Sequence, residues 1–167
     1  MIKRIIMTFI LFFILFSFTA VPSKTAAQTF ADVNASYRAY DEIIYLAQGN
    51  IVSGNNGNYY PDKAVTRAEA AVMLGRVLGL NGSKMKTSFK DVSSSSFASG
   101  FIQSAANKGI INGFTDGTFQ PEKFVTRGEM ALFISRAFGY GSKLTMAGAS
   151  SQLMERGIAQ GMANGDF

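Results

Sequence analysis

The sequence predicts an all-α fold built from tandem helix-loop-helix repeats, and two observations predict it. The stretch "AVTRAEAAVMLGRVLG", residues 64–79, returns as "FVTRGEMALFISRAFG", residues 124–139, with Thr-Arg-x-Glu at an interval of 60. Within each copy the apolar residues recur at helical spacing and a glycine follows the last of them. A repeat of this length cannot bury its own apolar face alone and needs a neighbour.

Residues 1–27 are expected to lie outside the fold. Lys3 and Arg4 precede an almost unbroken apolar run, Ile5 to Phe18, and Pro22, Ser23 and small residues before Gln28 follow. This is the pattern of a secretory signal peptide cut after Ala27. The run is short for a membrane span, so no permanent membrane insertion is expected after cleavage. Lys3, Arg4 and Lys24 leave with it, and the net charge falls from +5 to +2. The basic excess therefore belongs mostly to the export segment, and with no basic stripe nucleic-acid binding is excluded.

Cysteine and histidine are both absent. The domain must hold by core packing, and Ser-His-Asp, Cys-His and the usual zinc sets are excluded. A carboxylate pair remains chemically available, but the acids recur at matching repeat positions, as a scaffold requires. No catalytic residue, metal or cofactor is expected.

Unit one, residues 28–88, opens "FADVNASYRAYDEIIYLAQGNIVSG"; unit two, residues 89–143, opens "FKDVSSSSFASGFIQSAANKGIING". They align at an offset of 59, which one extra residue near Phe114 turns into 60. Each unit is expected to hold two helices, near 37–48 and 66–79 in the first and near 97–108 and 126–139 in the second. Tyr37, Tyr40, Ile43, Ile44 and Ala47 mark the buried face of the first helix; Phe97, Phe101, Ile102 and Ala105 mark its counterpart. In the loops between helices, Gly57 and Gly117 suit positive backbone angles, and Tyr59 or Phe119 is placed to plug the gap.

The second helix of each unit is better marked. Thr66 and Thr126 are N-caps, and Glu69 and Glu129 complete capping boxes. Val65 and Val125 can act as staples, and Gly79 and Gly139 as stops. Ala70, Met73, Leu74, Val77 and Leu78 form one face. Arg67 and Arg127 occupy the first helical position, where the helix dipole disfavours a cation. Either each arginine bolts its unit to the next, or it points into a cleft and clamps an anion; the two are compatible.

Residues 144–167 form a partial third unit. "ERGIAQGMANGDF", residues 155–167, lies on residues 107–119 at an offset of 48, twelve residues short of the spacing before it. The equivalent of "FKDVSSSSFASG" is absent, so only half a first helix and a loop are expected there. Such a tail would drape over unit two or lack order.

Together "FADV" and "FKDV", "GIINGFTDGTFQP" and the two Thr-Arg-x-Glu helices resemble the S-layer homology domain family across residues 30–167. The resemblance implies a pseudo-threefold arrangement of three motifs, incomplete here. It also implies non-catalytic attachment to the envelope of bacteria, mostly Gram-positive, through a secondary cell-wall polysaccharide that commonly carries pyruvylated sugars. It places ligand contacts at Arg67 and Arg127, with Gly113 and Asp116 lining the same region; Met130 is a candidate to hold the apolar sugar face. Unit one departs from the pattern, with Asn56 where unit two has Asp116. The alternatives are a truncated, binding-deficient remnant of a larger surface protein, or an envelope module that binds a protein partner.

Overall fold

The computed structural model describes residues 29–141 and 145–160; the expected signal peptide lies outside them. The described residues form helices α1 (Tyr40–Gln48), α2 (Arg67–Val77), α3 (Ser99–Asn107), α4 (Arg127–Ala137) and α5 (Met146–Glu155). Among the described residues the only β-type pairings are isolated bridges, Phe30 with Val33, Asn55 with Asn58 and Thr66 with Phe124. The fold class is the one the repeat predicts.

Local chemistry fixes the helix ends. Thr66 and Thr126 each accept the backbone N–H three residues on, and Glu69 and Glu129 reach back to the N-cap N–H, so both capping boxes form. Gly79 and Gly139 follow in the left-handed region, at φ 61° and 73°. The first helix of each unit ends in one shared way: Asn50, Gly109 and Gly157 take positive φ. Ile51, Ile110 and Ile158 then donate back to Leu46, Ala105 and Leu153.

This last equivalence corrects the expectation for unit three. At an offset of 48, α5 is the counterpart of the whole of α3, and it is a helix of 10 residues rather than half of one. The lost residues are the lead-in; Thr145 replaces it as N-cap, its hydroxyl accepting the Gly148 N–H. α5 is docked on α4, where Ala149 and Leu153 are buried with Ala131.

The main core lies between α2, α3 and α4 and is centred on Ile102, Ile111, Phe119 and Phe133. A second cluster, with Ile43, Ile44 and Ala47, belongs to unit one. Because α2 stands between the two clusters, it buries Ala68, Ala70, Ala71, Val72, Leu74 and Gly75, more than one face. Val77, expected inside, is exposed. So is Phe97, at 60%, because α3 begins only at Ser99 and leaves Phe97 outside its periodicity.

Candidate functional site

The site grows from the loop between the two helices of unit two. Asp91, from the opening Phe-x-Asp-Val, accepts the N–H groups of Phe119 and Gln120, both at 2.8 Å. This clip lets Gln120 sit at φ 57° and seats the Phe119 ring against Phe89, with centroids 5.4 Å apart. Gly113 is required there, since a Cβ would overlap Phe89 and the Thr118 carbonyl. Asp116 ties the loop tip, accepting from both the backbone N–H and the hydroxyl of Thr118. Those two bonds, the hydroxyl's first, hold its carboxyl below the usual range. Unit one repeats the clip, with Asp32 accepting from Tyr59 and Tyr60.

Arg67 enters this loop from α2 and is 3% exposed. Its Nε–H donates to the Phe119 carbonyl at 2.9 Å and its Nη2 to the Asn112 carbonyl at 3.0 Å. Nη1 pairs with Glu129 at 3.2 Å. The guanidinium lies over Phe114 and Phe119, 4.9 and 4.7 Å from their centroids, and near Phe133. Burial lowers its pKa and Glu129 opposes that change. The backbone follows the side chain: Arg67 N–H donates to Lys123 and Ala68 N–H to Pro121, so unit two supplies acceptors for the first turn of α2.

Arg127 occupies the same place one unit later but is exposed. Its Nη2 donates to the Gln160 carbonyl at 3.0 Å. Gln160 is the counterpart of Asn112 at the offset of 48, so the two arginines obey one rule, each reaching into the following unit. The structure thus brings Arg67 beside Gly113 and the Asp116 loop, and sends Arg127 to unit three. Met130 sits half-buried in the first turns of α4.

Sequence reading missed the second role of Glu129, which caps α4 and also pairs with Arg67 and, at 3.6 Å, with Lys123. It missed the clips of Asp32 and Asp91 as well. Their signal was available, since Phe-x-Asp-Val opens both units. Among the described residues no cluster of acids could hold a metal ion, and no helix is long and apolar enough to cross a membrane.

Comparison with known proteins matches the S-layer homology domain to residues 29–71 and 88–131. The chain is 34% identical over 125 residues to the surface layer protein of Brevibacillus choshinensis. It is 35% identical over 119 residues to an endoglucanase of Bacillus sp. (strain KSM-635). To the cellulosome-anchoring protein of Acetivibrio thermocellus it is 32% identical over 126 residues. Each match covers 71% of this chain but only 11%, 12% and 28% of those proteins respectively.

Proposed function

Because the chain belongs to the S-layer homology domain family, we propose that it is a non-catalytic module that attaches to the bacterial cell wall. Its ligand is an anionic secondary cell-wall polysaccharide, with pyruvylated sugars as the acidic element, and its place is the cell surface. The relatives support this reading through their differences. A surface layer protein, an endoglucanase and a cellulosome-anchoring protein share this segment as a small part of their length. A common reaction does not fit that distribution; a common means of attachment does.

The observation that carries the ligand assignment is the contrast between the arginines. Arg67 is sealed in the core, while Arg127 reaches the surface beside unit three. A ketal-linked pyruvate presents a carboxylate, and a forked guanidinium matches its two oxygens. Arg127 is the contact, and Met130, three residues along α4, is placed to meet a sugar face. Asp116 and Gly113 shape the loop rather than touch the ligand, since their atoms are used by Thr118 and Phe89.

The test is sedimentation of the purified protein with wall sacculi that carry the polymer and with sacculi stripped of it. Binding to the first alone, without release of sugar, is expected. Arg127→Lys keeps the charge and loses the fork, and should weaken binding to purified polymer about 10-fold or more. Equal affinity in the variant overturns the role of Arg127. Equal sedimentation with stripped sacculi overturns the polysaccharide as ligand.

A further inference from the structure

Unit two holds a filled socket, and unit one holds the same socket without an arginine. The groups that receive Arg67 are Asn112, Phe114, Phe119, Glu129 and Phe133. The repeat carries these to Ser53, Asn55, Tyr59, Glu69 and Met73. The pairing of Phe114 with Asn55 is set by structure, since each donates its N–H to the residue that closes its loop, Thr118 or Asn58. All five unit-one residues line one cleft of about 350 Å³ between the loop and α2. Pro61 and Lys63 line it too, and their counterparts Pro121 and Lys123 accept the first-turn N–H groups of α2.

The empty socket keeps the frame of the filled one. Asp32 holds Tyr59 and Tyr60 at 2.8 and 2.7 Å, as Asp91 holds Phe119 and Gln120. Phe30 meets Tyr59 at 5.3 Å and 41°, against 5.4 Å and 41° for Phe89 and Phe119. Two differences are those expected of a missing guanidinium. The Glu69 side chain is 36% exposed where Glu129 is 15%, and Lys63 has closed to 3.1 Å where Lys123 stands at 3.6 Å. Among the described residues neither Thr-Arg-x-Glu start faces the cleft: Arg67 is in unit two and Arg127 reaches Gln160.

We propose that the unit-one cleft is a receptor for an arginine-led helix start of the Thr-Arg-x-Glu type, supplied by a polypeptide segment outside these 167 residues. The chemistry selects this occupant. In the filled socket the groups that bind the arginine are two carbonyls, a carboxylate and aromatic faces, all of which favour a cationic donor. An anionic sugar would find the carboxylate repulsive. Lys63 does not exclude the arginine, because Lys123 stands in the filled socket beside Arg67. The unit-one socket offers Tyr59 but has Asn55 and Met73 in place of two phenylalanines, so it holds its occupant more weakly than unit two holds Arg67.

The test uses a labelled, end-capped peptide of residues 120–139, added to the purified protein. Saturable 1:1 binding is expected, and Arg→Lys at the peptide's Thr-Arg should weaken it about 10-fold or more. Ser53→Trp, at an exposed position, should fill the cleft and abolish binding with the helical circular dichroism unchanged. Asn55→Phe restores the counterpart of Phe114 and should tighten binding about 3-fold. A second measurement covers weak affinity: the same segment, tethered to the C-terminus by a long Gly/Ser linker, acts at millimolar effective concentration. That fusion should melt higher than the parent, and the gain should vanish with Ser53→Trp. Binding that ignores both the peptide arginine and Ser53→Trp overturns the proposal, as does an unchanged melting temperature in the fusion.

Discussion

Arg67 and Glu129, 62 residues apart in the chain, are joined by an ion pair of 3.2 Å, and Glu129 is at the same time the capping residue of α4. The start of one repeat's second helix is thereby fastened to the start of the next. The bridge between Thr66 and Phe124 and the bond from Val125 N–H to the Val65 carbonyl run alongside it. Four consequences can be measured.

Arg67→Lys should cost stability far more than Arg127→Lys. Lysine cannot reach the two carbonyls and Glu129 together, and it loses the planar stacking on Phe114 and Phe119. A loss of about 2–3 kcal/mol is expected for Arg67→Lys, from charge-assisted hydrogen bonds left unmade. The exposed Arg127 should cost below about 1 kcal/mol. Urea unfolding curves of the two variants decide this, and equal losses would contradict it.

Stability should fall in acid through Glu129. Burial alone would raise its pKa, but the Thr126 backbone N–H, Lys123 and Arg67 outweigh it and bring the carboxyl below its ordinary 4.5. A carboxyl with a depressed folded pKa stabilises above its unfolded value, and that contribution is lost as pH falls through the folded one. The melting temperature should therefore drop below about pH 4.5, and Glu129→Gln should start lower and slope less there.

Gly75→Ala should destabilise although alanine is the better helix former. A Cβ at this position overlaps the Phe101 ring, and overpacking of about 1–3 kcal/mol exceeds the helix-propensity gain of about 1. Combining it with Phe101→Leu should recover part of the loss. A stabilised single variant would show that the α2–α3 contact yields freely.

Asp91→Asn should loosen the loop that receives Arg67. One of two backbone N–H groups loses its charged acceptor, a cost of about 1–2 kcal/mol. Since the Phe119 carbonyl is a partner of Arg67, the double variant with Arg67→Lys should lose less than the sum of the two single losses. A double-mutant cycle measures the difference, and strict additivity would separate the clip from the bolt.

What was legible from residues alone was local. Thr66, Glu69, Thr126 and Glu129 announce their capping boxes because the partners lie within one turn. Gly79 and Gly139 announce helix ends because few other residues adopt positive φ there. The interval of 60 identifies the units and the family resemblance. Tertiary structure decided what distance along the chain conceals. Phe97 fits an apolar stripe yet lies outside α3, and α5 forms in full because Thr145 supplies a new cap and α4 offers Ala131 to pack against. The two arginines occupy identical sequence positions, and nothing local distinguishes them. Arg67 is sealed by Phe114, Phe119 and Phe133 of the following unit, while Arg127 meets a shortened one and stays open to solvent. Burial belongs to the neighbour a side chain meets, which the sequence around it does not encode.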